Sequence, residues 1–385
     1  MKEKILKKIT LLQYISGIKN YKNSIVYIKY IKKVLLNQDE LINKRNKKII
    51  PLPKYDDYYN TLKKFILKEP KNSEVIKYFL ESNVEIVEEK YDYKSLKSND
   101  VILTCLIKND IEKIKEFLDY YRTLGIKYFA FIDNNSNDGT FELLRKEKNV
   151  NLYRCSDDYS TLKREGWMNR LYSRIGFNKW ILCVDSDELF SYINQEKYNI
   201  EEFIEKISGK YKRVRSLLLD MYSDGYLFEY KKYDSFQKEY KYFDDNNYWE
   251  DNNFRSNMIF GGPRTRLFST ASNVFKCALS KYPLFYYEKG DFQGSSHWSF
   301  PYNKNTSDIL SVLRHFKFSN SDMKKYEERV IKGNYSNGSY EYKKYYDIIK
   351  NKEKVSFYTN NSIMYNNSND LTSIDIRGKK IKNMF

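Results

Sequence analysis

The chain has 385 residues, of which 41% are hydrophobic and 31% charged, a balance that excludes a disordered chain and favours a soluble globular protein. Its net charge is +17, but Lys, Asn, Ile and Tyr are all abundant, so this charge does not by itself indicate a polyanionic partner. The four cysteines are widely spaced and form no CxxC pair, which excludes a zinc ribbon and a thioredoxin-type site.

Residues 1–50 concentrate positive charge, with 12 Lys and one Arg against three acidic residues, a net charge of +10. Apolar residues at helical spacing predict two helical segments, the second marked by Ile25, Ile31 and Leu35. They indicate either an amphipathic element on an anionic membrane surface or a helical hairpin packed on the body. Because no apolar run reaches the roughly 18 residues of a membrane span, we expect a cytoplasmic protein, peripheral on the inner membrane face under the first interpretation.

Strand-like and helix-like patterns alternate from residue 101 onwards. The predicted strands are 101–107, 127–133, 150–155 and 180–184, and the predicted helices are 111–124, 140–146 and 162–175. Continuous apolar strands between helices indicate an α/β fold whose mostly parallel sheet carries helices on both faces. Beyond residue 191 the alternation is lost, apart from a strand-like run at 213–219. Residues 234–257 are polar, aromatic and irregular, which suits acceptor-binding loops.

Polar and acidic residues follow each of the four predicted strands, where ligands bind in α/β sheets. Asp185 and Asp187 flank Ser186 directly after an apolar strand, and strand alternation would point both carboxylates to one side. Their oxygens suit Mg²⁺ or Mn²⁺, and either ion can bridge a diphosphate. Asp133, the last residue of the second predicted strand, is a candidate to accept hydrogen bonds from a ribose or a base.

Residues 261–266 (GGPRTR) have the composition of a tight turn that presents Arg264 and Arg266. An arginine can bind phosphate through two parallel hydrogen bonds, so a substrate diphosphate or an anionic acceptor is one interpretation. A structural salt bridge is the other.

Several motifs resemble known enzymes. LTCLIKND, FIDNNSNDGT and WILCVDSDELF look like the nucleotide-sugar half of family 2-type glycosyltransferases, which have the Rossmann-like GT-A fold. GGPRTRLF, SSHW and LRHFKF are similar to a bacterial branch linked to surface polysaccharide or lipopolysaccharide assembly. The resemblance covers residues 100–320. It implies a hexosyltransferase that uses a nucleotide-diphosphate sugar, a UDP-sugar in the first instance, a saccharide or lipid-linked acceptor, and Mn²⁺ or Mg²⁺.

The patterns along the chain, together with the resemblance over residues 100–320, imply an organisation of the chain. A basic helical extension would occupy residues 1–98, and the GT-A catalytic domain residues 99–320. Within that domain, residues 99–190 would form the nucleotide-sugar half and residues 191–320 the acceptor half. A helical, peripheral region would occupy residues 321–385.

Roles for individual residues follow from the same resemblance. Asp133 would contact the uracil or ribose, and Asp185 the ribose and the metal. Asp187 would bind the metal directly, and Arg164 would contact the diphosphate or the base. Members of this superfamily often supply a further metal ligand from a late histidine.

The two histidines of the chain both lie in the late region. His315 in LRHFKF matches the expected position of a metal ligand best, and His297 in SSHW competes with it. Family 2-type enzymes generally invert the anomeric centre, which requires a carboxylate base. The candidate bases are Asp220, Asp224, Glu250, Asp251 and Asp291. We favour Asp220, because it follows a strand-like run, and keep Asp291 beside it.

Two other functions stay open. A metal-dependent nucleotidyl- or phosphoryltransferase also uses paired aspartates, but it normally has a glycine-rich phosphate loop where this chain has Lys108, Asn109 and Asp110. A basic nucleic-acid-binding protein would leave the acidic strand ends unexplained, because they repel a phosphate backbone. We therefore expect no nucleic-acid partner.

Overall fold

The computed structural model describes residues 19–37, 48–227, 234–251, 257–302, 304–318, 320–333, 336–351 and 354–385. The first of the two helices predicted within residues 1–50 lies outside the described residues. The helices are α1 (Lys19–Leu36), α2 (Tyr55–Lys68), α3 (Ser73–Leu80), α4 (Ile111–Thr123), α5 (Thr140–Lys146), α6 (Thr161–Ile175), α7 (Ile200–Ser208), α8 (Phe236–Glu239), α9 (Gly262–Phe268), α10 (Asn320–Lys332) and α11 (Ser336–Lys350).

A large central sheet organises the molecule. Its ten strands are β1 (Glu85–Glu88), β2 (Val101–Ile107), β3 (Tyr128–Asp133), β4 (Val150–Arg154), β5 (Lys179–Cys183), β6 (Glu188–Ser191), β7 (Arg213–Asp220), β11 (Ser280–Lys281), β12 (Leu284–Tyr287) and β15 (Thr306–His315). The remaining strands form two-stranded ribbons: β8 (Tyr242–Phe243) with β16 (Ile363–Met364), β9 (Tyr248–Asp251) with β10 (Met258–Gly261), β13 (Phe292–Ser295) with β14 (Trp298–Phe300), and β17 (Asp375–Ile376) with β18 (Lys379–Lys380).

The strand order in the sheet is β1-β4-β3-β2-β5-β12-β7-β15-β6, and β11 pairs with β7. Strands β4, β3, β2 and β5 are parallel to one another, as are β7 and β15. Strand β12 lies between β5 and β7 and is antiparallel to both, so β5 and β7 run in the same direction. The six strands β2, β3, β4, β5, β7 and β15 therefore all run in one direction. The sheet is therefore mostly parallel, and the carboxyl ends of the six strands share one edge.

Helices cover both faces of the sheet, as predicted. Leu103 and Cys105 of β2 face a buried cluster that contains α4, α5 and α7, while the alternate residue Ile102 faces a second cluster built on α6. The elements predicted between residues 101 and 184, and the strand at 213–219, are confirmed with ends within one residue. The prediction of an irregular 234–257 stretch is wrong in its described part, which contains α8, β8 and β9.

Two segments outside this α/β unit also pack on it. In α1, Ile31 and Leu35 are buried in a third cluster with α2 and α3, whereas Ile25 is exposed, so the described part of residues 1–50 packs on the body. Leu371 and Ile374, far along the chain, are fully buried in the cluster beneath α4 and α7. Within the described ranges, no helix is long and apolar enough to cross a bilayer.

Close packing between α3 and α6 depends on Gly166. A Cβ atom at this position would lie 2.5 Å from Tyr78 Cβ and 2.8 Å from the backbone nitrogen of Phe79. We expect Gly166→Ala to lower the free energy of unfolding by about 1–3 kcal/mol, because the α3 backbone must shift. Urea denaturation measures this change. Gly209→Ala is the control, because nothing lies within 4 Å of its Cβ; equal stability of the two variants would contradict the packing argument.

Candidate active site

A cavity of about 560 Å³ opens at the sheet edge where β2, β5, β7 and β15 end. This volume is typical of small-molecule sites. One half of its wall comes from the strand ends and the start of α6. The other half comes from residues 275–278 and from helices α10 and α11. The cavity therefore lies where the sequence analysis expects a ligand.

Residues 185–187 form a turn between β5 and β6, in which the Glu188 N–H donates to the Asp185 carbonyl oxygen at 3.0 Å. Strand alternation therefore does not set the directions of the Asp185 and Asp187 side chains, and that expectation is wrong, because β5 ends at Cys183. The turn nevertheless places both Asp185 and Asp187 in the cavity wall. The Ser186 hydroxyl fixes the turn by donating to Asp110 Oδ2 at 2.7 Å.

Asp185 is neutralised by two cationic side chains. Its Oδ1 accepts from Arg164 Nη2 at 2.7 Å, and its Oδ2 accepts from Lys281 Nζ at 2.9 Å. Burial opposes ionisation, but Arg164 and Lys281 outweigh it and lower the pKa of Asp185. Lys281 also donates to Glu188, and Arg164 donates to Glu165. The chain thus supplies part of the charge compensation that clustered carboxylates require.

Asp187, His315 and Asp220 form a connected row. His315 Nδ1 lies 2.8 Å from Asp220 Oδ1, and its Nε2 lies 3.6 Å from Asp187 Oδ2. Because an ionised carboxylate only accepts hydrogen bonds, Nδ1 carries a proton and Nε2 is the nitrogen turned towards Asp187. Burial disfavours the charged imidazolium, but Asp187 and Asp220 outweigh it and raise the pKa of His315 to about 9.

The donor atoms of Asp187, Glu188 and His315 lie within 4.8 Å of one another. Carboxylate oxygens and an imidazole nitrogen suit Mn²⁺ or Mg²⁺. Metal-bound histidines usually donate their other ring N–H to a carboxylate, which is the relation between His315 and Asp220. A divalent ion therefore fits at Asp187 and His315, where it would take the place of the Nε2 proton of the imidazolium, while the oxygens of Asp185 are engaged by Arg164 and Lys281.

Asp220 is not placed to act as a base. It is buried behind His315, and its second oxygen accepts from Arg264 Nε at 2.7 Å. Both oxygens are thus engaged, so Asp220 orients His315 instead. Arg264 also donates to Glu341 of α11, so the salt-bridge interpretation of Arg264 is the one that the geometry supports. Arg266 pairs with Asp244, away from this cavity.

Asp291 lies at the opposite edge of the sheet. Strand β12 runs away from the cavity, from Leu284 beside Leu182 to Tyr287 beside Lys179. Asp291 follows this strand and pairs with Lys304. The structure thus does not bring Asp291 together with Asp187 and His315, and the residue is absent from the cavity wall.

Asn134, and not Asp133, reaches the cavity. Asp133 is fully buried, and its Oδ2 accepts from the Ser136 N–H at 3.0 Å. Asn134 Nδ2 donates to the carbonyl oxygens of Cys155 and Asp157 at 2.8 and 2.9 Å, which turns Oδ1 into a fixed acceptor. Among the described residues this Oδ1 has no partner. In the sequence, Asp133 stands out as the last strand residue, whereas no local signal distinguishes Asn134 from the other polar residues of the loop that follows.

His297 lies in the cavity wall but not beside Asp187. Its Nδ1 lies 2.8 Å from the Ser280 carbonyl oxygen, so Nδ1 carries the ring proton. Burial, together with nearby Lys281, lowers the pKa of His297 to about 4, and the ring is neutral at pH 7. Of the two histidines, the structure thus places His315 at the candidate metal position.

A scan against models of protein families finds no match for this chain, and a search of curated proteins also finds none. The resemblance to family 2-type glycosyltransferases therefore rests on the motifs quoted above.

Lys281 is the cation on which the acidic turn depends. We expect Lys281→Met to lower the free energy of unfolding by about 3–5 kcal/mol, because Asp185 and Glu188 would lose a buried partner. Chemical denaturation at pH 7 measures this loss. Lys127→Met, which removes an exposed pair with Glu201, is the control and should cost less than about 1 kcal/mol. If both variants lower the free energy of unfolding by a similar amount, Lys281 is not the cation that stabilises the acidic turn.

Proposed function

We propose that this chain is a metal-dependent glycosyltransferase of the GT-A type, which moves a sugar from a UDP-sugar to a saccharide or lipid-linked acceptor. The observation that carries the proposal is the cavity at the carboxyl ends of the parallel strands, where Asp187 and His315 lie near Arg164 and Lys281. A diphosphate bound with a divalent ion matches this alternation of acidic and basic groups. The motif resemblance points to the same chemistry.

Asn134 and Tyr159 support a pyrimidine donor. Asn134 Oδ1 is a fixed acceptor, so it would accept a hydrogen bond from the N3–H of uracil. Cytosine has no hydrogen at N3 and would face this oxygen with a lone pair. Tyr159 is half-buried in the same wall, where its ring can pack on a base.

The proposed reaction forms a bond between the acceptor hydroxyl oxygen and the anomeric carbon while the bond from that carbon to the diphosphate oxygen breaks. UDP leaves with the electron pair, and the hydroxyl proton passes to a carboxylate other than Asp220 and Asp291, neither of which is placed to take it. A divalent ion held by Asp187 and His315 would stabilise the negative charge of the diphosphate. Arg164 and Lys281 are fixed by Asp185 before substrate binds, so they would act on the same charge without reorganisation.

A panel of nucleotide sugars with Mn²⁺ tests the proposal, with UDP release as the measurement. Turnover of a UDP-sugar is the expected result. Consumption of a nucleoside triphosphate with release of pyrophosphate, and no turnover of any nucleotide sugar, would instead identify a nucleotidyltransferase.

Asp187→Asn should weaken Mn²⁺-dependent UDP binding by more than the roughly 10- to 100-fold that outer-shell changes cost, because a direct ligand is lost. Isothermal titration calorimetry with and without Mn²⁺ measures the effect. The control is Asp158→Asn, an exposed carboxylate outside the cavity wall. Parental affinity in the Asp187 variant would remove this residue from the metal site.

The wild-type protein should bind UDP at least about tenfold more tightly than CDP, because only uracil satisfies the Asn134 oxygen. Competition binding in the presence of Mn²⁺ measures this ratio. Equal affinities would show that Asn134 does not read the base.

A further inference from the structure

The half of the cavity wall that comes from residues 275–278 and from helices α10 and α11 has a different chemistry from the 185–187 turn. Its wall includes Lys276, Lys317, Arg329, Tyr340 and Tyr342, which we call the cationic wall. The residues come from the segment after α9, the end of β15, and helices α10 and α11. The wall therefore combines positive charges with aromatic rings, whereas the opposite half is rich in carboxylates.

The same half of the cavity wall also contains a carboxylate, Glu341. It accepts from Lys317 Nζ at 2.9 Å and also from Arg264, whose other partner is Asp220. These two cations are thus matched by two carboxylates. Lys276 adds a further charge. It is exposed, its Nζ lies 5.7 Å from the centroid of the Phe260 ring, and in the described part of the chain it forms no ion pair.

Arg264 supplies an independent indication of a ligand. The residue is 3% exposed, and its Nη2 is buried without a hydrogen-bond partner among the described residues. A buried donor without an acceptor is costly. A ligand oxygen in this half of the cavity would satisfy it.

The aromatic rings of the cationic wall indicate a second property of the ligand. Tyr340 is 44% exposed and stacks on Phe275, with 6.2 Å between ring centroids and 28° between planes. An exposed, supported ring face suits the apolar face of a sugar. The Arg329 guanidinium lies 4.9 Å from the Tyr342 ring, which holds a positive charge beside this surface.

We propose that the cationic wall binds an acceptor saccharide that bears an acidic group, either a carboxylate or a phosphate. The proposal rests on the proposed glycosyl transfer and names the acceptor class for it. Lys and Arg form their strongest hydrogen bonds with such oxyanions. A neutral acceptor could satisfy the Arg264 donor through a hydroxyl oxygen, but it would leave the charge of Lys276 without a counter-charge, so the wall favours an acidic acceptor.

The test measures binding of glucuronate, glucose 6-phosphate and glucose by saturation-transfer NMR, in the presence of UDP and Mn²⁺. We expect the acidic sugars to bind at least about tenfold more tightly than glucose. Preference for glucuronate identifies a carboxylate as the recognised group, and preference for glucose 6-phosphate identifies a phosphate. Equal binding of glucose, or no binding of any of the three, would overturn the proposal.

Two single-residue variants test whether the acidic sugar binds at the cationic wall. Lys276→Gln should weaken binding of the preferred acidic sugar about three- to tenfold and leave UDP affinity unchanged. Lys206→Gln, an exposed lysine of α7 away from the cavity, should change neither. If Lys276→Gln weakens UDP and the sugar equally, the wall belongs to the donor site and the acceptor proposal is wrong. If the wild-type protein does not bind UDP in the presence of Mn²⁺, the proposed function itself is contradicted.

Discussion

The ion pairs of Lys281 are the interaction on which the cavity depends. Six strands that run in one direction bring several carboxylates to one edge of the sheet, and such a group repels itself in a partly buried setting. Lys281 contacts both Asp185 and Glu188, and Arg164 contacts Asp185 from α6. With these charges balanced, Asp187 stays available beside His315. Because Arg164 and Lys281 pair with Asp185, Asp185 supports the turn and Asp187 is left as the candidate metal ligand.

The first half of the sheet could be predicted from the sequence because its signals are local. Continuous apolar runs of strand length alternate with helical periodicity between residues 101 and 184, and the structure reproduces each of these elements. The second half could not be predicted in the same way. Strand β12 is four residues long and lies between β5 and β7, and the two-residue strand β8 pairs with β16, about 120 residues further along the chain. No local pattern encodes which strands pair.

The candidate site was predictable at the level of motifs and not at the level of contacts. Asp187 and His315 stand out as a strand-end carboxylate and one of two histidines, and the structure brings them together. Whether Asp133 or Asn134 faces the cavity depends on the path of the chain after β3, which composition does not determine. The pairing of Asp185 with Lys281 joins residues 96 positions apart, and the role of Asp220 depends on Arg264. Such partners emerge only from the folded chain.

The burial of Leu371 and Ile374 beneath the α4 and α7 side of the sheet has a consequence for biosynthesis. Nearly all of the sheet leaves the ribosome before these residues are made, so its apolar surface there stays open while translation continues. The burial of this part of the apolar surface is therefore a late event, and until then the nascent chain exposes hydrophobic side chains of the kind that chaperones bind. Shortening the chain before residue 371 would leave that surface open permanently and favour aggregation.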